Sequence, residues 1–234
     1  MVKIKEINAR EILNAKGLPT IEATVTLSDG KIGVASCPKG EKIANYEASE
    51  LKDSDEKRFE GDGMLKAIDN IANIIKPALV GKDAENQQDI DKTMINLDGT
   101  QNKSRIGANA MLTVSIAVAK ASAESSVLPL FLYLRQFIKK EHESLKIPVP
   151  IFNLISGGKK QNNFGDFHEF LVVPASSKPY TESIRIGTEI SKSLRRILES
   201  KNLKMNDGSE EGFTPSFTTN KEAFYFIKQA VEEA

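Results

Sequence analysis

Three short stretches carry residues whose types and spacing could do chemistry. Pro38-Lys39-Gly40-Glu41-Lys42 is a Gly-containing loop after a candidate strand, able to offer backbone N–H and ammonium groups to an anion. Its structural reading is a solvated surface loop. His168-Glu169 opens an apolar run, where the carboxylate either points into a site or is a capped or salt-bridged structural Glu. Gly208-Ser-Glu-Glu-Gly212 is an acidic turn between two helical stretches, either part of a site or a plain connector. Cys37 has no basic partner arguable from sequence and reads as a small buried residue rather than a nucleophile. His142 lies in a charged stretch and reads as solvated.

The elements that must position these groups follow from the apolar period. The first 35 or so residues read as an antiparallel meander. Ile21, Ala23, Val25 and Leu27 share one face, Asp29-Gly30 is a turn pair, and Lys31 to Cys37 runs back as the partner strand. From Met64 the spacing becomes helical: Leu65, Ile68, Ile71, Ala72 and Ile75 form one face, and Pro77 is expected to stop it. Ile90, Met94 and Leu97 repeat that period up to Asp98-Gly99. Residues 107–123 are small and apolar on most sides, which predicts a buried helix whose alanines let neighbours approach closely. Pro129 starts a further helix.

Residues 139–146 are charged and precede Ile147-Pro-Val-Pro150, the best candidate boundary between domains 1–140 and 141–234. Beyond it, 149–155 and 170–174 lack clean alternation and read as strands buried on both faces, as in a parallel sheet or barrel. Helices over 181–200 and 220–233 follow, with a loop at 206–217 between them. An α+β domain followed by ββαα leaves sheet edges that require further strands.

The chain has 234 residues, with 32 basic and 32 acidic side chains and a formal net charge of zero. That balance gives no global attraction to nucleic acid or acidic membrane. A hydrophobic fraction of 40% with 27% charged residues excludes a mainly disordered chain. One cysteine excludes an internal disulfide and a Cys-rich zinc cluster. The N-terminal residues lack a signal-peptide core, and no window approaches 18 uncharged apolar residues. A cytoplasmic protein with no membrane and no nucleic-acid partner is therefore expected.

The motifs themselves are more specific than the composition. Arg10-Glu-Ile-Leu-Asn-Ala-Lys-Gly-Leu-Pro-Thr20, Tyr46-Glu-Ala-Ser-Glu-Leu-Lys-Asp53 and Gly61-Asp-Gly63 occur in order. Leu97-Asp-Gly-Thr-Gln-Asn-Lys103, Gly107-Ala-Asn-Ala110, Val114-Ser115 and Ala119-Lys-Ala121 continue the series. Pro148-Val-Pro150, Asn153, Gly157-Gly158, Asp166-Phe-His-Glu-Phe170 and Glu210-Glu-Gly-Phe-Thr-Pro215 complete it. This colinear set resembles the enolases, the phosphopyruvate hydratases of glycolysis, over essentially the whole chain.

The resemblance implies an α+β N-terminal cap domain followed by an incomplete (β/α)8 barrel, its first ββαα only. It implies a lyase reaction, the Mg2+-dependent dehydration of 2-phosphoglycerate to phosphoenolpyruvate. By resemblance, Glu210 matches the family's acid-catalyst glutamate and Glu169 its second carboxylate. Lys42 stands where a loop serine helps hold Mg2+, and an ammonium group cannot ligate a cation. Lys160 replaces a histidine and His168 a glutamine, while Lys16, Ser209 and Glu211 replace an arginine, an aspartate and a glycine. The family's metal carboxylates and general-base lysine come from later barrel strands. The expectation is thus a chain inactive alone that binds no Mg2+ tightly. It is either complemented by a C-terminal barrel fragment, or a non-catalytic enolase-like scaffold or decaying gene fragment. A homodimer through the cap domain is implied by the same resemblance.

Overall fold

The computed structural model describes residues 1–38, 40, 44–138, 145–158, 165–203 and 212–234. The chain divides into two units, Met1–Glu141 and His142–Ala234.

In the first unit, β1 (Ile4–Leu13), β2 (Pro19–Leu27) and β3 (Ile32–Ser36) form an antiparallel meander in the order β1-β2-β3. The alternation read from the sequence sets the faces: Ile21, Ala23, Val25 and Leu27 are all fully buried. Helix α4 (Ala108–Ser125) lies across β2 and β3. Its small residues bring it very close. A Cβ placed on Gly33 would stand 2.1 Å from the Ala117 carbonyl oxygen and 2.4 Å from the Ala121 nitrogen. The outer edges of the sheet are not left bare. Ile4 N donates to Lys82 O at 2.9 Å along β1, and Lys120 Nζ donates to Val34 O at 2.9 Å on β3.

The stop expected at Pro77 is not there. Helix α1 (Leu65–Asn70) continues through a π-helical turn, Ile71–Ile75, into α2 (Lys76–Leu79), with Pro77 inside the last piece. Proline has no N–H to give to the carbonyl four residues back, and its ring crowds that carbonyl. Widening the preceding turn to i→i+5 bonding accommodates both faults without ending the helix. Helix α3 (Gln87–Asp98) ends as its sequence predicts, on Gly99 at φ 69°, and α5 (Leu130–Arg135) follows Pro129.

Glu11 on β1 ties the sheet to the start of α1. Its Oε1 accepts from Arg58 Nη1 at 2.9 Å and from Met64 N at 2.7 Å, and Arg58 Nη2 pairs with Oε2. The bond from Arg58 is the main reason its carboxyl sits below the usual range, against an opposing effect of burial. The unfolded chain therefore binds this proton more tightly than the folded one. The associated stability is complete above the unfolded carboxylate value of about 4.3 and disappears as pH falls through the lower folded value. Arg58→Ala is expected to flatten the rise of unfolding free energy with pH in the acidic range below the unfolded carboxylate value of about 4.3. Urea denaturation across that range would show it, and an unchanged slope would count against the pair.

In the second unit, β4 (Phe152–Ser156) and β5 (Glu169–Val172) form an antiparallel pair with an irregularity between Asn153 and Ile155. Helices α6 (Tyr180–Ser200) and α7 (Asn220–Glu233) complete it. Leu154, Ile155 and Phe170 pack with Ile190, Leu194, Ile197 and Leu198 of α6 and Ala223 and Ala230 of α7. The reading of both runs as strands buried on both faces holds neither for the start of the first, where Val149 and Ile151 are exposed ahead of β4, nor for β5. Glu169 and Leu171 face solvent, because among the described residues β5 pairs only with β4 and has one covered face. The stretch read as a plain loop also contributes backbone pairing. Phe213 bridges Ile155 in parallel, with Ser156 N donating to Phe213 O and Phe213 N to Leu154 O, both at 2.9 Å. Among the described residues no closed barrel forms. The cap-type α+β unit and the opening ββαα of a barrel are what the sequence predicts.

Candidate functional site

The end of β4 gathers the described candidate residues of the second unit. Ser156 is buried and pairs in register with Glu169. The following Gly157 N–H donates to the His168 carbonyl at 2.8 Å, and Gly158 turns away at φ 75°. That backbone pairing fixes where His168 and Glu169 leave the sheet. Their side chains stand together, with Nδ1 of His168 3.5 Å from Oε1 of Glu169, an ion-pair distance longer than a good hydrogen bond. Both are open to water, 59% and 47% exposed.

An aromatic triangle supports this end of the hairpin. The rings of Phe167, Phe170 and Phe224 meet with centroids 5.1 to 6.2 Å apart, so α7 braces the residues on either side of the His168-Glu169 pair. The contribution of Phe224 has no sequence signal beyond its place on the helix. A separate groove of about 600 Å3 lies along Ile151 to Leu154 and the α6 residues Gly187, Thr188, Ser191, Lys192 and Arg195, and includes neither His168 nor Glu169.

In the first unit, a pocket of about 340 Å3 is lined by Cys37, Pro38, Gly40, Glu47, Ala48, Glu50, Ala108, Asn109 and Leu112. Gly40 in its lining is two positions from Lys42 in sequence. Lys42, Lys160 and Glu210 all lie outside the described residues. Cys37 in this pocket is buried, and burial first, then the Glu50 charge, pushes its thiol up to about 11. It is held as a neutral thiol, in keeping with a packing role. Alkylation of Cys37 near pH 8 is expected to run roughly a hundredfold slower in the folded chain than in urea. Equal rates in the two states would contradict the burial.

A Mg2+ ion asks for about six oxygens in octahedral array, usually including one or two carboxylates. Glu169 brings one carboxylate, and its near neighbour is an imidazole rather than a second oxygen donor. Among the described residues no group of three or more His, Cys, Asp or Glu side chains could hold a metal. The described donors around Glu169 therefore do not fit the ion. Among the described residues, the pair stands open to solvent without walls that would position a reactant.

Comparison with known proteins agrees with the geometry. The family model described as the enolase N-terminal domain matches residues 4–134, and that of the enolase C-terminal TIM barrel domain matches residues 144–234. An enolase from Anaplasma phagocytophilum (strain HZ) is 43% identical over 234 residues, covering 100% of this chain and 53% of its own length. The chain thus spans about half the length of this curated relative. No helix among the described residues is long and apolar enough to cross a membrane.

Proposed function

The chain belongs to the enolase family, and from that premise we propose that it supplies the cap and the opening barrel turn for an enolase-type reaction. The reaction would be the Mg2+-dependent dehydration of 2-phosphoglycerate to phosphoenolpyruvate in cytoplasmic glycolysis. Residues 1–234 by themselves do not turn over this substrate. The observation that carries this reading is the His168–Glu169 pair: one carboxylate beside an imidazole, both solvated, with no third acidic partner among the described residues. Abstraction of a proton next to a carboxylate creates a dianionic intermediate, which needs concentrated positive charge and a base of matched pKa. Neither is assembled around Glu169 among the described residues.

Glu210 is proposed as the acid that assists departure of the hydroxyl group, with Glu169 and His168 at the substrate, and Lys42 and Lys160 as altered substrate-side positions. The ammonium groups at Lys42 and Lys160 favour a second reading, an enolase-like chain kept for interaction rather than turnover. A homodimer through the cap unit and a complementing barrel fragment are the proposed partners. The test is the ultraviolet absorbance of phosphoenolpyruvate formed from 2-phosphoglycerate and Mg2+. The 234-residue chain alone is expected to give no rate above background, and measurable turnover would overturn the reading.

A further inference from the structure

We propose that Glu47 and Glu50 are positioning residues that fix Gly40 and Ala44, by accepting their backbone N–H groups. Oε1 of Glu50 accepts from Gly40 N at 2.9 Å, and Oε2 of Glu47 accepts from Ala44 N at 3.0 Å. Glu47 N donates back to Ala44 O at 3.1 Å, so Glu47 and Ala44 satisfy each other in both directions. The two carboxylates also converge on Gly40. A Cβ there would lie 3.1 Å from Oε1 of Glu47 and 3.7 Å from Oε1 of Glu50.

The strip that carries the two glutamates is itself tied down by hydrogen bonds at Ser49 and Leu51. Ser49 N donates to Asn102 O at 2.7 Å, and Ala108 N donates to Ser49 O at 2.8 Å. Asn109, buried in the first turn of α4, brackets Leu51: its Oδ1 accepts from Leu51 N at 3.0 Å and its Nδ2 donates to Leu51 O at 3.1 Å. The strip from Glu47 to Leu51 is thus pinned to the start of α4, and its two glutamates reach out to Gly40 and Ala44. A carboxylate accepting a backbone N–H is among the stronger neutral-to-charged hydrogen bonds. Gly40 and Ala44 each gain one.

That Gly40 and Ala44 lie on the substrate side rests on the proposed function; the clamp itself rests on the distances alone. Amide hydrogen exchange in the 234-residue chain tests it without any activity. Glu50→Ala is expected to speed exchange at Gly40 about tenfold, and Glu47→Ala at Ala44 by a similar factor, with the β2 amides of Ala23 and Val25 unchanged. Glu50→Gln keeps an oxygen acceptor and should hold Gly40 closer to the parent rate than Glu50→Ala does. Unchanged exchange at both loop amides would overturn the proposal, as would acceleration shared equally with β2, which reports general destabilisation. Failure of the turnover assay would bear on the proposed function and leave this measurement intact.

Discussion

Gly33→Ala is expected to destabilise the first unit by about 3 kcal/mol, the upper part of the range for overpacking a filled core. The added methyl group would meet Ala117 O at 2.1 Å and Ala121 N at 2.4 Å. Both are backbone atoms of α4, so no side chain can rotate to make room. Either the helix lifts from β2 and β3 or β3 bends outward, and each costs contacts along the whole interface. Gly17→Ala makes a useful contrast. Its Cβ would meet nothing within 4 Å, although φ is 73°. Only the left-handed strain remains there, about 1 kcal/mol. Urea unfolding of the two variants separates the effects, and equal losses would show that the close approach at Gly33 is not what limits packing.

Asp98→Ala is expected to cost about 3 kcal/mol, because one buried carboxylate organises the turn between α3 and α4. Asp98 is 1% exposed. It accepts from Thr100 N at 2.9 Å and Ile106 N at 2.7 Å, and it pairs with the Thr100 hydroxyl. Burial alone would push its carboxyl up. These hydrogen bonds outweigh burial and hold it below the usual range. Removing the acceptor leaves the buried Ile106 N–H without its partner. Asp98→Asn keeps one oxygen and should lose less. Both are read from denaturation midpoints, and an Asp98→Ala variant as stable as the parent would refute the bonding described.

The legible parts of the fold are those set by local period. Alternation from Ile21 to Leu27 placed β2's buried face, and the small residues of 107–123 announced a helix pressed close to its neighbours. Glycine at position 99 marked where α3 ends. Pro77 misled because its remedy is an i→i+5 turn over Ile71–Ile75, which leaves no mark in the period of apolar residues. The burial of β5 depended on what lies across its free edge, a tertiary fact that a four-residue run cannot encode.

The apolar run that follows His168-Glu169 placed that pair at the start of a strand, and β5 begins at Glu169; Lys42, Lys160 and Glu210 lie outside the described residues. What holds His168 and Glu169 was not legible. The Phe167, Phe170 and Phe224 triangle joins residues 57 positions apart at its widest (224 less 167). The clamp on Gly40 and Ala44 acts on backbone N–H groups, whose positions no residue type announces. The link from Arg58 to Glu11 likewise crosses 47 positions.

The most direct measurement is a titration of the 234-residue chain with a separately made fragment carrying the remaining barrel strands, followed by phosphoenolpyruvate formation at fixed Mg2+ and 2-phosphoglycerate. Any rate is expected to begin at zero without the fragment and to depend on its concentration until it saturates. A rate already present without the fragment, and unchanged by adding it, would contradict the proposal that this chain does not carry catalysis by itself.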